Sequence, residues 1–380
     1  MFFVNLDSKP YFFRSRFSPR GNEIPNRPTS SPTPALRYTH PVSPDRIFGG
    51  PVRTLLLALP LLSIALAAAA QQPRLLVAEK GQHSLAIIDP ASGKLLASVP
   101  ESGVTGHEVI ASADGRLAFV PIYGNSGVGK PGTDGNSIDV IDIATRKVVH
   151  TIPFDHGVRP HCPLMGPKDG LLYVTTELDQ TITLIDPKTF KILATIPTGQ
   201  PQSHMLVLSH NGLRGYTANV GPGTVSVLDI PNRKVLKIIP ISSNTQRIAI
   251  SPDDHWVFTA DQTKPQLAVI DTTTNSVAKW VPLEGIAYGT APTPDGRFLL
   301  VTLPDQNKIA VVDLKSMQVV RSIPTGEYPQ EIVARPNGKT AYVSCEHSNQ
   351  VAEINLDNWT QTRLIGTGKA TDGLAWAAGN

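Results

Sequence analysis

Apolar and polar positions alternate along the chain in short runs, and seven runs close on an acid or amide: Asp89, Asp142, Asp186, Asp229, Asp271, Asp313 and Asn355. Successive anchors lie 53, 44, 43, 42, 42 and 42 residues apart. Alternation with period two is the mark of strands, and a repeat near 42 residues suits units of four strands arranged as blades. Each unit reads alike. An inner strand such as His204–Leu208 or Arg247–Ile250 ends in a tight turn, for example Asn211-Gly212 or Asp295-Gly296. A second strand follows (Leu172–Thr176, Gly215–Asn219, Ala341–Cys345), and a third closes on the anchor (Thr181–Asp186, Thr224–Asp229). A fourth strand (Lys191–Ile196, Lys234–Ile239) leads to the next unit. The anchor's side-chain oxygen can accept from the backbone two residues on, which makes an Asx-turn between strands three and four.

The register at the ends predicts how the ring closes. After residue 70 the chain opens on a second strand (Leu75–Glu79), a third (Ser84–Asp89) and a fourth (Lys94–Val99), and it finishes on an inner strand, Gly373–Ala377. The expectation is an all-β, seven-bladed β-propeller of four-stranded antiparallel blades, closed by one blade shared between the N- and C-terminal strands. Such closure leaves no free sheet edge in the ring. Tyr173-Val174-Thr175-Thr176, Tyr216-Thr217-Ala218-Asn219 and Tyr342-Val343-Ser344-Cys345, each followed by an apolar strand ending in Asp or Asn, carry a resemblance to the YVTN-repeat family of β-propellers. The resemblance covers all of the chain after residue 70. It implies an extracytoplasmic propeller and leaves the role open.

Residues 1–51 are rich in Pro, Arg and Ser and read as a disordered extension. Residues 52–70 read as a secretory signal: Arg53, the apolar run Thr54–Ala70 and an Ala-rich end, too short and too Pro-interrupted for a membrane span. Because signals usually begin a chain, Val52 is a candidate initiator. The propeller is expected over 71–380, in a periplasmic or secreted protein with no stable membrane insertion after signal cleavage. The overall charge of +3 comes from the leader. The first 70 residues hold eight Lys/Arg and three Asp/Glu, which leaves 26 basic against 28 acidic residues and no nucleic-acid footprint. Cys162 and Cys345 fall in non-adjacent blades, too far apart to pair, and read as buried thiols.

The irregular loops, between strands two and three and between four and one, share one face, called here the near face. Function on a rigid scaffold concentrates on such loops. The longest anchor interval places an insertion at Gly124–Asn136. Its G-x-x-x-x-G-K match, Gly124 through Lys130, is a decoy: Pro131 stands where a phosphate loop has Ser or Thr, and no helix follows. A rim or lid is the expectation there.

Counting back from the turn at the end of each inner strand lists one position per blade: His107, His161, His204, Gln246, Tyr288, Gln330 and Thr371. All are polar, and three adjacent blades supply histidine. These side chains are expected around the channel mouth, close enough for His107, His161 and His204 to hold Zn or Cu, metals that suit imidazole. Recognition of an organic ligand by the same ring, with Arg159 as an anion clamp beside Gln246, Arg247, Tyr288 and Gln330, is a second possibility. A wet ring that binds no small molecule is a third. Other near-face groups are His156, Glu79, Glu177, Asp179, Glu346 and Asp372. Two functions follow: a binding or scaffold module holding a small molecule, glycan or protein on the near face, or a metal-dependent enzyme. In the second the chemistry would be hydrolase, lyase or copper redox, with Glu108 or Glu331 as general base.

Overall fold

The computed structural model describes residues 72–379. The extension expected over 1–51 and the signal expected over 52–70 lie outside the described residues. Seven four-stranded sheets are present, and their strands pair antiparallel. Blade 1 takes Arg74–Glu79, Ser84–Asp89 and Lys94–Pro100 from the start of the described chain and Thr371–Ala377 from its end. Arg74–Glu79 lies between its two neighbours in that sheet, so the ring is closed as the register predicts. Blades 2 to 7 follow in sequence, their inner strands at Ile110–Ala111, Pro160–Met165, Ser203–Leu208, Thr245–Ile250, Thr290–Pro292 and Pro329–Ala334. Among the described residues the one helical element is a single turn at Pro304–Gln306, and no helix is long and apolar enough to cross a membrane.

Local chemistry explains the strand ends. The backbone N–H of Ala91 donates to Asp89 at 3.1 Å and that of Lys188 to Asp186 at 2.8 Å, the Asx-turns expected of the anchors. At Asp142 and Asp229 the donor lies three residues on instead, at Thr145 and Asn232. Second and third strands are buried almost throughout, while fourth strands alternate toward solvent. The core lies between facing blades. Ile182, Leu206, Val225 and Ile248, from three consecutive blades, belong to one apolar cluster. Cys162 and Cys345 are buried free thiols, as expected.

A repeated irregularity shapes the near face. Pairing between inner and second strands slips between Pro160 and Pro163, Thr245 and Ile248, and Pro329 and Ile332, each a bulge at the mouth end. Just before the inner strand, Thr105, Arg159, Gln202, Tyr328 and Ala370 adopt left-handed backbone. The carbonyl of this residue accepts from the residue that follows strand two, as in Glu177 N–H to Arg159 and Glu346 N–H to Tyr328. Each such bond pins the fourth-to-first loop onto its own blade.

Two expectations need correction. Pairing of Thr371 with Glu79, and of Pro329 with Cys345, makes Thr371 the counterpart of Pro329. The seventh ring position is therefore Asp372, one residue beyond the position the turn count selects, because the closing blade lacks the turn from which the other blades are counted. The insertion is also shorter than expected. Leu117–Gly124 and Asp134–Asp142 continue pairing into it, with Gly124 opposite Asp134, leaving 125–133 as the loop proper.

Candidate functional site at the channel mouth

The bulges bring two consecutive residues of each inner strand to the mouth, and their side chains form two connected groups. In the first, His107, His161 and His204 surround Tyr123. The rings of His161 and His204 stack with centroids 3.6 Å apart, while His107 meets His161 edge-on at 5.6 Å. Tyr123 lies 4.8, 5.2 and 5.7 Å from the rings of His107, His161 and His204. Its hydroxyl donates to Glu177 at 2.6 Å, and His204 Nδ1 lies 3.2 Å from the same carboxylate. A carboxylate only accepts, so Nδ1 of His204 carries the hydrogen. Burial would raise Glu177, but His204, Tyr123 and Arg159 together hold it below the ordinary carboxylate range. Burial pushes His107 down to about 3 and depresses His161 and His204 as well, so the three imidazoles are neutral at pH 7.

In the second group a single guanidinium ties the ring together. Arg247 Nη1 lies 2.5 Å from Glu108 and 2.6 Å from Glu331, and Nη2 lies 3.3 Å from Asp372. The guanidinium carbon sits 4.7 Å from the centroid of Tyr288. Arg247 in blade 5 thus spans the mouth to blades 2, 7 and 1, with only 2 % of its side chain exposed. Lys80 continues the network to Asp372 at 3.2 Å and Glu346 at 3.0 Å, and Gln330 donates its amide to Glu346. Burial pushes Glu108 up to about 8 against the pull of Arg247, and raises Glu331. Burial acts the same way on Asp372, but Lys80 and Arg247 outweigh it and lower that carboxyl.

The structure therefore brings His107, His161, His204, Glu108, Arg247, Tyr288, Gln330 and Glu331 to one mouth. Gln246 stands at the equivalent position and is half-buried. Arg159, the expected anion clamp, has partners within the protein. Its guanidinium donates to Asp134 at 2.6 Å and to the carbonyls of Lys130 at 2.8 Å and Gly127 at 3.4 Å, which latches the 125–133 loop. The loop reaches on toward blade 4: a side chain at Gly129 would start 2.5 Å from Gln202 Nε2. His156 and Asp179 form an exposed rim pair at 2.8 Å, and Glu79 caps Ser84 and the backbone of Gly368.

Sequence reasoning missed Tyr123 and Lys80. Lys80 follows strand two, as do Glu177, Gln262 and Glu346, and Tyr123, inside its longer strand, takes the equivalent place by donating its N–H to Thr105; superposing that position as well as the inner strand would have found both. The three imidazoles are adjacent, as counted, but two lie face to face. Among the described residues no group of three His, Cys, Asp or Glu is arranged to hold a metal ion.

The family described as the Cytochrome D1 heme domain matches the chain over residues 166–371. That span contains His204 but neither His107 nor His161. It is this family, and not the YVTN-repeat family of the sequence resemblance, that is matched. None of the curated proteins compared matches the chain. Among solved structures, Kuenenia stuttgartiensis hydrazine synthase is similar at 20 % identity and a TM-score of 0.62, over 72 % of this chain and 89 % of that one. A functionally unknown protein from Desulfotomaculum acetoxidans is similar at 13 % identity and a TM-score of 0.67, over 80 % and 99 % of the two chains. At such identities the likeness is one of fold.

Proposed function

The chain belongs to the cytochrome D1 heme domain family, and from the geometry of its mouth we propose that it is a binding module, periplasmic or secreted, that holds a ligand or partner on its near face. One observation carries this reading: the mouth gathers buried polar atoms that the protein itself leaves without hydrogen-bond partners, among them His161 Nδ1, Gln330 Oε1 and Arg247 Nε. Buried polar atoms normally find partners, so orphans at the opening of a rigid ring mark a place for a ligand. The periplasmic or secreted location rests on the signal read at residues 52–70, and the YVTN-like strand motifs agree with it.

The family makes heme the first cofactor to test. A bound heme would supply a planar redox-active iron needing an axial ligand such as imidazole. The residues here do not fit one as they are packed. His161 and His204 are each 2 % exposed and stack on one another, with Tyr123 and His107 filling the remaining sides. No slot for a macrocycle is left between them, and the cations nearby, Arg247, Lys80 and Arg159, are already paired to carboxylates. A second reading, a three-histidine Zn or Cu enzyme, is favoured by the adjacency of the imidazoles. It requires His161 and His204 to unstack so that their lone pairs converge.

Hydrogen exchange of the untagged protein, with and without ligands of differing charge, tests the binding reading. Binding should slow exchange at the loops preceding the inner strands, and Tyr288→Ala should abolish the effect. Protection confined to the outer strands or the opposite face would overturn the proposal.

A further inference from the structure

The mouth holds more carboxylates than cations. Arg247 and Lys80 are the cations of the network, and Glu108, Glu331, Asp372 and Glu346 all converge on them. Carboxyl groups gathered in a site of low polarity resist ionising together, as the raised Glu108 and Glu331 show, and disfavour a further anion. An independent feature points the same way. Gln330 is 5 % exposed and donates its amide to Glu346, yet its Oε1 accepts from nothing. The hydroxyl of Thr290, in the preceding blade, is also unpartnered and can donate or accept. Arg247 Nε is an unpaired donor, so on this side of the mouth Gln330 Oε1 is the orphan that can only accept and waits for a donor.

The two halves of the mouth differ in access. The imidazole half is the more closed, with His161 and His204 buried beside the latched 125–133 loop and His107 partly open. On the other half Tyr288, Gln246 and Glu331 are partly open. Blades 6 and 7 come close here, since a Cβ on Gly289 would lie 2.0 Å from the carbonyl oxygen of Gln330, and Arg247 touches both Tyr288 and Glu331. An aromatic ring next to a carboxylate and a free amide oxygen is cation-recognition chemistry. The ring already has the protein's own guanidinium within cation–π distance.

We infer that the ligand of this mouth is a small organic ammonium ion carrying N–H donors, held by Glu331 and the amide oxygen of Gln330 alongside Tyr288. This rests on the binding reading above and adds the class of ligand.

Calorimetric titration of the untagged full chain at neutral pH provides the test. The probes are benzylammonium, methylammonium and 1,4-diaminobutane, against tetramethylammonium, which lacks N–H donors, and the shape-matched benzyl alcohol and benzoate. At least one primary ammonium should bind tenfold or more tightly than benzyl alcohol, benzoate and tetramethylammonium. Gln330→Met and Glu331→Gln should each weaken it at least fivefold, while Asp179→Asn on the rim leaves it unchanged. Benzoate binding as well as benzylammonium, binding indifferent to both mouth variants, or no binding of any ammonium would overturn the inference. Should benzoate or heme bind and Tyr288→Ala abolish it, the binding module survives and the cation does not. If hydrogen exchange shows no probe of any charge at the mouth, both fall.

Discussion

Arg247 and Glu108 meet at 2.5 Å although 139 residues separate them in the chain. The strand ladders link neighbours within one blade, so this pair is a tie across the ring, from blade 5 to blade 2. The same guanidinium reaches Glu331 and Asp372, which makes one side chain the hub of four blades.

Removing the hub leaves three buried carboxyl groups, Glu108, Glu331 and Asp372, without the guanidinium they bond. Breaking a buried pair on one side costs about 3–5 kcal/mol. Arg247→Leu should therefore lower the free energy of unfolding measured in urea by an amount in that range at pH 7. Adding Glu108→Gln should restore part of the loss. Equal stability of Arg247→Leu and the parent would show that the network contributes nothing net.

Stability should fall on both sides of a mildly acidic optimum. Glu108 is pushed up to about 8 from an ordinary 4.5, so between those values the folded protein binds more protons than the unfolded chain. Its contribution is full below 4.5 and is lost as pH rises through 8. His107 is depressed to about 3 from 6.5, so its contribution is present above 6.5 and is lost as pH falls toward 3. Urea midpoints measured from pH 4 to 9 should show both limbs. Glu108→Gln should flatten the alkaline limb and His107→Gln the acid one.

Arg159→Ala removes the bonds to Asp134, Gly127 and Lys130. Amide exchange across 125–133 should quicken at least tenfold, with little change at the outer strands. An unchanged loop would mean that Gln202 and the loop's own turns suffice to hold it.

Heme titrated into the untagged protein should give no shift of its Soret band, because His161 and His204 are buried against one another and no slot for a macrocycle lies between them. Metal analysis of the same material decides the enzyme reading. Stoichiometric Zn or Cu that disappears on replacing His107, His161 and His204 by Ala would establish a three-histidine centre, and its absence would leave the binding module.

Periodicity, turn chemistry and the anchor residues determined the seven blades, the shared closing blade and the Asx-turns from the sequence alone, because strands within a blade are near neighbours and local rules govern them. Counting along the repeats also brought His107, His161 and His204 together. What the count lacked was direction. Alternation sorts side chains correctly along a regular strand, but the bulges at the mouth break it, and so Arg247 and Glu108 turn inward beside the ring that was counted. The sequence likewise placed Arg159 near the mouth, yet only the folded ring could decide that its guanidinium latches a loop. Which charges pair depends on distances across the channel, between residues a hundred or more positions apart. No local pattern encodes those distances; closure of the ring sets them.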